Sequence, residues 1–103
     1  MAFRVVITPE AQTAIDRDLE RIHFRSSFGV AQAWYLGLIK AIASLSEMPE
    51  RCSVIPEQRF FSVELRQLLY GRKPHMRRII FSVVGEKVFI VRYQHGSLRS
   101  LGS

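Results

Sequence analysis

Residues 76–96 read MRRIIFSVVGEKVFIVRYQHG, in which two β-branched apolar runs, RRIIFSVV and KVFIVRY, flank Gly85 and Glu86. A Gly-X pair between two such runs suits a two-residue type II′ turn, so the stretch predicts a β-hairpin with Val84 opposite Lys87. Carried inward without interruption, that register sets Arg78 opposite Tyr93 and Met76 opposite His95 on one face. Ile79 then faces Arg92 and Arg77 faces Gln94 on the other. Both faces pass from apolar at the turn to polar at the open end. The turn end is expected to anchor the core, and the open end to gather Arg77, Arg78, Arg92, Tyr93 and His95.

Working back from the hairpin, YGRKPH (70–75) has the glycine and proline of a turn and adds Arg72, Lys73 and His75. Before it, VELRQLL (63–69) alternates Val63, Leu65 and Gln67 with Glu64, Arg66 and Leu68, the period of a strand. PERCSVIPEQRFFS (49–62) holds two prolines and no sustained period, which predicts a long connecting loop. Upstream, Val30, Ala31, Trp34, Leu38, Ala41, Ile42 and Leu45 form a broad helical stripe, with Ser26 or Ser27 available as its cap. A shorter stripe of Ala11, Ala14, Ile15, Leu19 and Ile22 precedes it. Thr8, Pro9 and Glu10 supply a capping hydroxyl, a proline at the first helical position and a carboxylate at the positive end of the dipole. FRVVIT (3–8) is short, β-branched and ended by proline, hence a strand.

The order is strand, two-helix hairpin, then three antiparallel strands. This is an α+β fold with the helices packed on one face of a small sheet, in a single domain spanning 1–103.

Composition narrows the functional classes. The chain has 103 residues, 48% of them apolar and 23% charged, as expected of a globular domain. Its apolar runs are expected to be broken by charge well short of the roughly 20 residues a membrane-spanning helix needs. The N-terminus lacks the apolar core of a signal peptide, so a cytoplasmic location is expected. Cys52 is the single cysteine, which excludes an internal disulfide and any multi-cysteine metal site. His23, His75 and His95 have no ligand spacing, and no glycine-rich phosphate loop is present, so neither a metal nor another cofactor is expected. Lys and Arg number 15 against 9 Asp and Glu, a formal net charge of +6 that suits an anionic partner.

Guanidiniums gathered at one end of a sheet need counter-charges or water, and nine carboxylates spread along the chain do not all reach them. Phosphate oxygens fit the guanidinium fork, and Tyr93 offers a ring on which a base of single-stranded RNA would stack. Each residue has a plainer alternative. Arg66 and Arg92 would pair with Glu64 or Glu86, Tyr93 would pack in the core, and His95 would end a strand.

FRVVITPEAQTAIDRDLERI, VELRQLLYGRKPHMRRIIF and VGEKVFIVRYQHG, in this order, resemble the RelE/ParE superfamily, the toxins of bacterial type II toxin-antitoxin modules. The resemblance covers nearly the whole chain. It implies a toxin neutralised by a cognate antitoxin, and two different targets. RelE-like members cut messenger RNA on the ribosome, as metal-independent endoribonucleases; ParE-like members inhibit DNA gyrase without hydrolytic chemistry. For RNA cleavage, Arg78 matches the arginine before the apolar strand and would stabilise the phosphate, and His95 matches a position where some members carry an acid. Arg66, Lys73, Arg77, Arg92 and Tyr93 would add charge or stacking around the substrate. RNA-cleaving relatives often continue into a C-terminal segment with a catalytic tyrosine, where this sequence has only SLRSLGS after Gly96. That departure keeps the gyrase-directed alternative open.

Overall fold

A computed structural model describes residues 2–96, so the SLRSLGS segment lies outside the described residues. The elements are β1 (Arg4–Ile7), α1 (Pro9–Arg25), α2 (Phe28–Ala43), β2 (Arg66–Tyr70), β3 (Arg77–Val84) and β4 (Lys87–His95). One four-stranded sheet has the order β1-β4-β3-β2, with β1 parallel to β4 and the other neighbours antiparallel. The expected α+β architecture is the one observed.

Local chemistry sets the element boundaries. The Thr8 side chain accepts from the Ala11 amide and donates to the Ile90 carbonyl, so one residue caps α1 and ends β1 against β4. Ser27 accepts from the Val30 amide and starts α2 after a two-residue break. Gly85 has φ +60 and Glu86 does not share the positive φ, the pattern of a type II′ turn. Gly71 has φ +95, and an added Cβ there would lie 3.0 Å from the His75 carbonyl oxygen. The turn into β3 therefore demands glycine.

Two apolar clusters sandwich the sheet. Ala11, Ile15, Leu38, Ile42 and Leu45 meet Ile79, Phe81, Val88, Ile90 and Tyr93 on the helix face. On the outer face Ile80 packs with Ile55 and Leu65, flanked by Phe61 and Val91. The long connection therefore covers the outer face. Two turns of 3-10 helix, Pro49–Arg51 and Gln58–Phe60, shape it.

Three details differ from expectation. β2 begins at Arg66 rather than Val63, because the Gln58 amide donates to the Val63 carbonyl at 2.7 Å and accepts from the Leu65 amide at 2.7 Å. Those bonds hold residues 63–65 to the covering loop. The turn end of the hairpin projects, with Val84 61% exposed, and the fully buried residues lie mid-strand. Finally, α2 and the 3-10 turn after it form a helical run, Phe28–Ser46, with mean hydropathy 1.3 and Lys40 as its one charge. By length and composition it suffices to cross a membrane; here Ala31, Leu38, Ile42 and Leu45 are buried within the fold.

Candidate functional site

A register shift between Ile80 and Phe81 decides where the polar residues of the hairpin point. From the turn, Val84 pairs with Lys87, Val83 with Val88, Ser82 with Phe89 and Phe81 with Ile90, as expected. Ile80 then pairs with Arg92, Ile79 with Tyr93, Arg78 with Gln94 and Arg77 with His95, leaving Val91 as the extra residue of a β-bulge. A one-residue slip exchanges the faces of everything beyond it. Arg78 therefore does not face Tyr93, nor Met76 His95. Arg77, Tyr93 and His95 share the helix face, while Arg78, Arg92 and Gln94 share the outer face.

On the helix face, Arg77 and Tyr93 converge on Asp18 of α1. The Arg77 Nε donates to Asp18 Oδ2 at 2.9 Å and its Nη2 to Oδ1 at 3.2 Å, while the Tyr93 hydroxyl donates to Oδ2. Arg77 also donates to the His75 carbonyl, and its guanidinium carbon lies 5.7 Å from the centre of the Trp34 ring. All three members are buried. Burial alone would raise the Asp18 pKa, but the hydrogen bonds from Arg77 and Tyr93 and the charges of Arg77 and Arg21 outweigh it and hold the carboxyl below its ordinary value. Burial, then the Asp18 carboxylate, push the Tyr93 phenol far above its ordinary range, so it stays protonated as a donor.

On the outer face, Arg78 meets Glu57 of the covering loop in two parallel bonds of 2.9 Å, and its Nε donates to Gln67 Oε1 at 2.8 Å. Arg78 and Glu57 are both buried. For Arg77 and Arg78 the expected shortage of counter-charges is corrected, since Asp18 and Glu57 meet them. Arg66 is likewise committed, to Glu64 at 3.1 Å and to the carbonyls of Glu50 and Cys52. These contacts tie β2 to the loop. Lys73 is exposed in the turn before β3, and Arg92 is exposed on β4.

His95 is half-buried at the end of β4, its ring centre 6.2 Å from that of His75. Burial, and then the charge of Arg77, lower its pKa. Beside it runs a cleft of about 440 Å³ between α1 and β4, walled by Arg17, Asp18, Arg21, Tyr93, Gln94 and His95. A second, apolar groove of about 320 Å³ lies between α1 and α2, lined by Leu19, His23, Phe28, Ala31 and Tyr35 with Asp16 and Glu20 at its rim. Phe24 and Leu36, at 93% and 60% exposure, extend the apolar surface of these helices.

Sequence reasoning did not anticipate Asp18 or Glu57. Asp18 left a trace, since it lies three residues after Ile15 and four before Ile22, a carboxylate within the apolar stripe. Glu57, between Pro56 and Gln58 in a loop, left none.

With this geometry in place, one solved structure of similar shape is informative. A chain described as the chromosomal ParDE TA system from P. aeruginosa superposes with a TM-score of 0.71 over 91% of this chain and 96% of that one, at 17% identity. The two chains share a fold. No protein-family model matches the sequence, and a search of curated proteins finds no match. At 17% identity the likeness to the ParDE chain is one of backbone architecture, and it agrees with the strand, helix-pair and three-strand order.

Proposed function

We infer that this chain is the toxin of a toxin-antitoxin pair and that it acts by binding its target, DNA gyrase, rather than by cutting RNA. The ParDE fold and the sequence resemblance both support the toxin assignment. The observation that favours binding over cleavage is the state of the two adjacent guanidiniums: Arg77 is locked on Asp18 and Arg78 on Glu57, both away from water. An arginine that stabilises a developing phosphorane has to present its donors to the phosphate oxygens. Releasing either would take its two-bond guanidinium partner from a buried carboxylate, which costs several kcal/mol.

Antitoxin binding is assigned to the groove between α1 and α2. A partner helix with an apolar stripe would cover Leu19, Phe28 and Tyr35, and basic residues along its edges would meet Asp16 and Glu20.

The competing reading, ribosome-dependent cleavage of messenger RNA, draws on His95. Its lowered pKa keeps the imidazole neutral near neutral pH, the form that accepts a proton. In that reading Arg78 and His95 serve one phosphate, with Arg66, Lys73, Arg77, Arg92 and Tyr93 around the substrate. The register that puts Arg78 and His95 on opposite faces of the hairpin weighs against it.

Controlled expression separates the readings. Growth arrest with DNA damage and intact messages supports gyrase inhibition. Arrest with new transcript ends, relieved by His95→Ala, supports cleavage. Expression without arrest removes the toxin assignment.

A further inference from the structure

The charges of α1 are sorted by face. Asp16 and Glu20 line the groove toward α2, whereas Arg17 and Arg21 line the cleft toward β4. That sorting leaves three guanidiniums, Arg17, Arg21 and Arg77, around one carboxylate, Asp18. Arg77 occupies both oxygens of Asp18, and Tyr93 donates to one of them as well. Arg21, 55% exposed at its side chain, touches the same carboxylate at 3.1 Å from the solvent side. The Arg17 side chain, exposed on α1, makes no ion pair or hydrogen bond among the described residues. The cleft thus holds net positive charge.

We propose that the cleft between α1 and the end of β4 binds backbone phosphates of a nucleic-acid strand, with Arg17 and Arg21 as the contacting residues. Residues four apart on a helix stand side by side, about 5–6 Å between Cβ atoms, a separation at which two long side chains reach either one phosphate or two successive ones. Guanidinium forks engage phosphate oxygens bidentately. Both side chains reach solvent, and when Arg21 turns to a phosphate Asp18 keeps its bonds from Arg77 and Tyr93. In this respect the cleft differs from the hairpin arginines. The cleft is walled by Ala14 and Gln94 as well as the cations.

This site is independent of the gyrase assignment, because binding is read on the purified full-length chain with no antitoxin, gyrase or ribosome present. The measurement is fluorescence anisotropy of a labelled single-stranded oligonucleotide, in DNA and RNA forms of one sequence, across about 50 to 200 mM salt. The expected result is binding of at least one form. The double variant Arg17→Ala/Arg21→Ala should weaken it tenfold or more and reduce the slope of log K against log salt by about 1.4, at about 0.7 per phosphate contact on a single strand. Arg17→Lys/Arg21→Lys should keep the slope. A preference for DNA or for RNA identifies the source of the phosphate. No binding of either form, binding that the alanine variant retains, or equal displacement by polyglutamate would overturn the proposal. A thermal melt of each variant confirms that it is folded, as expected for two residues outside the core.

Discussion

Arg78 and Glu57 face each other across the outer side of the sheet, joined by two parallel bonds of 2.9 Å and both buried. One residue belongs to the central strand β3 and the other to the loop that covers it, so the pair fastens the loop. Removing one partner takes from the other, still buried, the opposite charge it meets through two bonds, at a cost of about 3–5 kcal/mol. Arg78→Ala and Glu57→Ala should each lower stability to urea by that order. Replacing both, Arg78→Met with Glu57→Leu, should cost clearly less than either alone. Additive losses in that cycle would show that the two charges do not act as a pair.

The Asp18 carboxylate makes stability fall in acid. Its folded pKa lies below the ordinary value of 3.8, so the folded chain binds fewer protons there than the unfolded chain does. The contribution is complete above the ordinary value and is lost as pH falls through the lower folded value. Asp18→Asn should cost about 3–5 kcal/mol at pH 7, since Arg77 then lies buried without a counter-charge. The gap between variant and wild type should narrow as pH drops below 3.8. Thermal melts at a series of pH values measure it; a gap that stays constant to pH 2 would remove the linkage.

Gly37 and Tyr70 join α2 to β2 at close range. The Tyr70 hydroxyl donates to the Trp34 carbonyl at 2.8 Å, and a Cβ added at Gly37 would fall 2.3 Å from that hydroxyl oxygen. Gly37→Ala should therefore destabilise the wild type by about 1–3 kcal/mol through overpacking. In a Tyr70→Phe background the oxygen is gone, and the higher helix propensity of alanine should make the same change close to neutral. Equal losses in both backgrounds, measured by chemical denaturation, would place the cost elsewhere.

How far the sequence determined these features can be followed residue by residue. Thr8, Ser27 and Gly85 act through neighbours within a few positions, so the caps and the turn were legible. The bulge at Val91 depends on how two strands accommodate each other. Its trace in sequence is Val88-Phe89-Ile90-Val91, four consecutive apolar residues where a strict two-residue period would alternate. That single extra residue on β4 moved Tyr93 onto the helix face beside Arg77, within reach of Asp18, while Arg78 faces the loop that carries Glu57. The cationic character of the candidate site was legible in composition. Which arginines reach solvent was not, because the partners of Arg77 and Arg78 lie 59 and 21 positions away in the chain.

The central claim, that the chain disables gyrase without cutting RNA, is tested most directly by plasmid supercoiling with purified DNA gyrase and the purified full-length chain. Inhibition that grows with the concentration of the chain is the predicted result. Normal supercoiling at every concentration, from a preparation that arrests growth on expression, would contradict it.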